Sequence, residues 1–177
     1  MKAQKQSKKP LSKRGENGEG GASPYGNFHD YYRFNPAAER LQYIPDELID
    51  TIIKYATEDI YVLDIGCNSG DLTVGLANRV SDRSSRPEKA RRVHALGIDL
   101  DDVLISRATQ LATSQNGLPN VLFSTVDVMS TDQKAAELLR EFTDGFWCAV
   151  RASGRLFDLV CAFSLTMWIH LHHGDDG

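Results

Sequence analysis

Val62-Leu63-Asp64-Ile65-Gly66-Cys67-Asn68-Ser69-Gly70 is the stretch whose reading decides the fold. Residues 60–65 (IYVLDI) form a short, mostly apolar run, the composition of a strand buried on both faces. Gly66 and Gly70 end that run and are expected to let backbone approach a ligand closely. Leu72, Leu76 and Val80 then recur every fourth residue, which predicts a helix. In open parallel sheets, ligands bind beyond the carboxyl ends of the strands, so this turn is a candidate site. Its G-x-x-x-G spacing is not the G-x-G-x-x-G of dinucleotide sites. No Lys-Ser or Lys-Thr pair follows it, which disfavours a phosphate-binding P-loop.

The pattern repeats outward from this turn. Residues 92–99, 121–128 and 156–164 read as further strands, and residues 81–90 as a polar surface loop. Asp101 is placed to cap a helix carrying Leu104, Ala108 and Leu111. Ala135, Leu138, Leu139 and Phe142 mark another helix. Upstream, Pro45 suits the first turn of a helix bearing Leu48, Ile49, Ile52, Ile53 and Ala56. Alternating strands and helices imply an α/β, Rossmann-like fold, a parallel sheet covered on both faces. A four-strand sheet would leave its last strand as an open apolar edge, so the fold is read as truncated after that strand. The expectation is that a further C-terminal portion, or another chain, covers that edge.

Composition bounds the rest. The chain has 177 residues, 41% of them hydrophobic, enough for one globular domain. Residues 1–14 carry six basic residues and no acid, which leaves the remainder at −10. Residues 1–24 are expected to be a disordered basic leader, and 25–177 a single folded domain. No apolar run reaches the roughly 18 residues of a membrane span, and no signal peptide is evident. Cys67, Cys148 and Cys161 are odd in number and scattered, which suits reduced thiols and a cytoplasmic protein, with nuclear entry left open.

Acids stand at successive predicted strand ends. Asp99 closes the second strand, where a carboxylate can accept hydrogen bonds from two ribose hydroxyls, and Asp127 lies at the end of the third. The D-x-G-x-x-x-G turn of Asp64, Gly66 and Gly70 resembles the class I methyltransferases, in which it cradles the methionine and ribose parts of S-adenosyl-L-methionine. Two flanking segments narrow the resemblance. They are Tyr25-Gly26-Asn27-Phe28 running on through Tyr31-Tyr32-Arg33-Phe34-Asn35-Pro36 to Arg40, and Ser164-Leu165-Thr166-Met167-Trp168-Ile169-His170-Leu171. With GCNSGDLT they resemble the bicoid-interacting family of RNA methyltransferases, nearest to its members that act on RNA 5′-monophosphate ends. The resemblance runs from Tyr25 to Gly177. It implies that Arg40, Asn68, Asp99, Asp127, Val128 and Phe163 contact the cofactor, with Arg40 pairing its carboxylate. It also implies that the YGNF segment lies across the cofactor. His172 departs from the family, which tends to carry Asn there.

The activity implied is methylation of the 5′-monophosphate end of a small RNA, such as a tRNA or a precursor microRNA. Tyr25, Asn27, Tyr31, Tyr32, Arg33 and His170 are the candidates for holding that phosphate and its nucleotide: hydroxyls and a guanidinium for the phosphate, aromatic faces for a base. The His and Asp residues between His170 and Asp176 are read as packing or acceptor contacts, not as a metal site. The rival readings are a methyltransferase for a small molecule or protein, and a fragment that binds RNA or a partner without turnover. Oligomeric state is not legible.

Overall fold

The computed structural model describes residues 28–56, 59–85, 91–114, 120–130, 137–139, 142 and 157–174. Tyr25, Asn27, Ala135, Cys148 and the leader lie outside the described residues.

Four parallel strands, β1 (Ile60–Ile65), β2 (Val93–Asp99), β3 (Asn120–Thr125) and β4 (Leu159–Cys161), lie in the order β3-β2-β1-β4. The sheet grows in one direction from β1 through β2 to β3, then in the other to β4. The chain therefore reverses between β1 and β4, and the loops leaving these two strands diverge into a crevice. The architecture is α/β and Rossmann-like, as the alternating pattern implied.

Side chains alternate across β1 and β2. Ile60, Val62, Val93 and Ala95 enter one core with Leu76, Ala77 and Val80 of α4 (Asp71–Ser84) and Ile49 of α3 (Asp46–Tyr55). Tyr61, Leu63, Leu96 and Ile98 enter a second core on the opposite face with Leu138, Leu139 and Phe142. Short helices α1 (Tyr31–Phe34) and α2 (Ala37–Gln42) precede α3, α5 (Asp102–Ser114) joins β2 to β3, and α6 (Thr166–His173) follows β4. Asp101 caps α5, its Oδ1 accepting from the Val103 and Leu104 amides at 2.9 and 3.2 Å.

Several boundaries differ from the sequence reading. Residues 81–84 continue α4, because Val80 and Ser84 remain on its buried side. β3 ends at Thr125, and Asp127 and Val128 lie just beyond it, where the Asp127 carboxylate folds back to accept from the Met129 amide at 2.9 Å. β4 is only three residues long, since Ser164 turns to φ 57° soon after it. Pro45 precedes α3 in extended backbone at ψ 141° rather than sitting in its first turn. Among the described strands β4 pairs only with β1, and Val160 is 54% exposed on this edge. No helix of the described residues is long and apolar enough to cross a membrane.

Candidate functional site

The turn after β1 is shaped by backbone. Gly66 and Cys67 donate their amides to the Ile98 carbonyl at 2.8 and 3.0 Å, and Gly70 donates to Cys67 O at 3.0 Å. Gly66, Asn68 and Gly70 all have positive φ, at 75°, 52° and 83°, a region that glycine reaches freely and asparagine tolerates. The Asn68 side chain makes its turn hold. Its Oδ1 accepts from the Ser69 amide at 2.8 Å, and its Nδ2 donates to Phe28 O at 3.1 Å.

The two glycines do different jobs. Gly66 lines the crevice, and a Cβ there would point toward Leu165, 3.4 Å away. Gly70 does not face the crevice. A Cβ on it would fall 2.6 Å from the Phe123 ring and 2.8 Å from Ala108, so its bareness serves packing, contrary to the expectation of ligand approach. Gly97 yields to the same ring at 2.5 Å.

Asp99 closes the turn from β2. Its Oδ2 accepts from the Asn68 amide at 2.9 Å and its Oδ1 from the Asp101 amide at 3.0 Å. Partial burial raises its pKa above the ordinary carboxylate range, against the lowering effect of these amides. The Leu100 backbone adds a further hydrogen bond to the carboxylate, and Asp99 lines the cavity. Asp64 lies beneath the turn and is not among the lining residues. It is buried, receives the Thr73 hydroxyl at 2.6 Å, and has its pKa pushed up to about 6 by burial and by nearby Asp99. Burial also drives the Cys67 thiol up, which keeps it protonated and inert.

Gly66, Asn68 and Asp99 border a cavity of about 410 Å³. One wall is Gly66, Asn68, Asp99 and Leu100, continued by Asp127, Val128 and Met129 beyond β3. The other comes from Phe28 and Tyr31, from Arg40, and from Phe163 to Leu165, Met167 to Ile169 and His172 after β4 and on α6. The structure thus brings Tyr31, Arg40, Gly66, Asn68, Asp99, Asp127, Val128 and Phe163 to one cavity. Residues 28–32 cross its mouth as a strap. His29 Nε2 meets Asp101 Oδ2 at 3.0 Å, Arg107 donates to His29 O at 3.1 Å, and the Phe28 ring reaches Trp168, centroids 6.1 Å apart. Ser164 Oγ accepts from both the Tyr31 hydroxyl (3.3 Å) and Arg40 Nη2 (3.2 Å), while the Arg40 guanidinium lies 4.8 Å from the Tyr31 ring centre.

Three acceptor candidates fall elsewhere. Tyr32 turns inward, donating its hydroxyl to Cys67 O at 3.4 Å, and burial raises its pKa. Arg33 stands over the exposed Phe34 ring at 5.8 Å, away from the lining. His170 is exposed on α6 outside the lining, where His172 takes the place expected of it. Ser164, Leu165, Met129 and Met167 line the cavity without having been singled out as contacts. Their signal in sequence is only their position just after a strand.

No family model matches the chain. Curated relatives do. The pre-miRNA 5′-monophosphate methyltransferase of Danio rerio is 38% identical over 159 residues, which cover 88% of this chain and 59% of the relative. The RNA 5′-monophosphate methyltransferase of Bos taurus is 38% identical over 164 residues, covering 90% and 53%, and that of Homo sapiens is 37% identical, covering 89% and 52%. The chain therefore spans between about half and three-fifths of the length of these relatives. A solved S-adenosylmethionine-dependent methyltransferase from Methanosarcina mazei is 26% identical over 46% of this chain and 35% of its own, at a TM-score of 0.33, too low to bear on the fold. Over about nine-tenths of its length, this chain is a homologue of the RNA 5′-monophosphate methyltransferases.

Proposed function

We propose that the chain binds S-adenosyl-L-methionine in the cavity at the strand ends and transfers its methyl group to the 5′-monophosphate end of an RNA. Similarity to proteins of that name supports the acceptor, and the half-buried Asp99 lining the cavity at the end of β2 carries the cofactor half of the reading.

The residues fit that cofactor. Asp99 places a carboxylate at the cavity edge to accept from a ribose hydroxyl, Gly66 leaves room beside its backbone, and Val128 with Phe163 offers apolar surface for an adenine next to the Asp127 carboxylate. Arg40 stands at the other end, held by Ser164, where a guanidinium can pair with a carboxylate through two hydrogen bonds. When bound, the cofactor supplies a methyl group activated on a sulfonium.

The chain's own residues then have a positioning task. A terminal phosphate has a second pKa near 6, so at neutral pH it is mostly a dianion and already a nucleophile. No side chain has to remove a proton. What the site must do is hold one phosphate oxygen about 3–3.5 Å from the methyl carbon and in line with it. Ser164 suits that task. Its oxygen already accepts from Tyr31 and Arg40, so its own hydroxyl proton is left to donate.

The test is methyl transfer from labelled S-adenosyl-L-methionine to matched RNAs bearing a 5′ monophosphate or a 5′ hydroxyl. Label on the monophosphate RNA alone is expected. Label on both, or on neither despite cofactor binding, overturns the acceptor assignment.

A further inference from the structure

α6 gives the cavity a wall of different chemistry from the glycine turn. Trp168 and His172 both line it, their rings near-parallel at 19° with centroids 6.4 Å apart. Four residues advance about 6 Å along a helix axis, so the two rings stand one turn apart on the same side of α6. Trp168 is half-buried and His172 is exposed, so the aromatic surface runs from inside the cavity toward solvent. Phe28 meets Trp168 at 62° from the strap side, which fixes the indole from a second direction. The hydroxyls suited to a phosphate are grouped elsewhere, at Tyr31 and Ser164.

A 5′-terminal nucleotide has this division of chemistry, with a charged phosphate at one end and a flat base at the other. Aromatic planes hold bases by stacking, whatever the sequence, because every base has a π face. We infer that Trp168 and His172 form the stacking subsite for the first base of the acceptor RNA, with His172 setting how tightly that base is held. The inference rests on the RNA reading above and adds to it the part of the substrate that α6 recognises.

Anisotropy titrations test it, using a labelled short RNA with a 5′ monophosphate and saturating S-adenosylhomocysteine. The chain is compared with His172→Ala and His172→Phe, each against the same RNA lacking its first base. His172→Ala is expected to weaken binding of the intact RNA by about 5- to 100-fold, the range of one base stack. The same change should cost the abasic RNA less than about twofold, because the stacked partner is already gone. His172→Phe keeps a ring and should retain most of the affinity. S-adenosylhomocysteine affinity, measured separately, reports whether each variant is folded and should fall by a smaller factor than RNA affinity. Equal losses on both RNAs, no loss with His172→Ala, or a parallel loss of S-adenosylhomocysteine affinity overturns the subsite; the last assigns the wall to adenine instead. If the unmodified chain does not prefer the 5′-monophosphate RNA over its 5′-hydroxyl counterpart, the acceptor reading falls and this inference with it. If it does prefer it and His172→Ala binds as well, only this inference falls.

Discussion

The glycine turn after β1 and the strap of residues 28–32 meet at the edge of one cavity, yet they are held by different means. The turn is fastened by backbone amides to Ile98 O and the Asp99 carboxylate, at 2.8 to 3.0 Å, against the buried ends of central strands. The strap is fastened by side chains: His29 on Asp101, Arg107 on His29 O and Tyr31 on Ser164 at exposed tips, with Asn68 on Phe28 O and Tyr32 on Cys67 O tying it to the turn. Backbone bonds at a buried strand end open only with the core, whereas exposed polar contacts are worth little each and open locally. Under the proposed function, a fixed wall beside a more releasable strap lets the cofactor seat against rigid geometry while the RNA end enters past the strap.

Removing Asp99 should break this contrast most severely. Asp99→Ala deletes the carboxylate assigned to the cofactor in the proposed function and also strands the Asn68 and Asp101 amides, so cofactor affinity should fall by about 100-fold or more, at roughly 1.5–3 kcal/mol per charged hydrogen bond. Unchanged affinity by calorimetric titration would move the cofactor off this wall. Gly70→Ala should cost about 2–4 kcal/mol in denaturant unfolding, because its Cβ overlaps Phe123 and Ala108 and its φ is 83°. Pairing it with Phe123→Leu should recover part of that loss, and strict additivity of the two would rule out the contact.

Asp64 sharpens the contrast through pH. Folding raises its pKa from 3.8 to about 6, so the native state holds the extra proton in that window and stability falls as pH rises through it. Asp64→Asn removes this dependence and should gain on the unmodified chain by at most about 3 kcal/mol between pH 4 and pH 7. Parallel stability curves across that window would show that Asp64 titrates normally. The smallest effect belongs to the strap. His29→Ala should change global stability by less than about 1 kcal/mol, the range for exposed ion pairs. It should lower RNA turnover by more than it lowers cofactor affinity; equal losses in both would tie the strap to the fixed wall.

The fixed wall was largely legible in the sequence. Strand periodicity located the ends of β1 and β2, and an acid at a strand end has few places to point other than the crevice. The releasable wall was legible in composition but not in orientation. Tyr31 and Tyr32 are adjacent on a short helix, about 100° apart in azimuth, so both cannot face the cavity. Tyr31 does, and Tyr32 is turned in under Cys67. The same geometry decides between His170 and His172 on α6, where only packing against the strand ends sets which face looks inward. Ser164 escaped notice because its importance comes from two donors, 133 and 124 residues away in sequence, meeting on one oxygen.

The Phe123 ring occupies the space that side chains at Gly70 and Gly97 would fill. Three positions on three different elements therefore share one volume, and their histories of substitution are bound together. A larger residue at either glycine becomes tolerable only after the ring shrinks. A smaller residue at 123 leaves two bare backbones facing a void. Drift at this spot must proceed by coordinated steps, and a survey of variants should find the three identities inherited as a set.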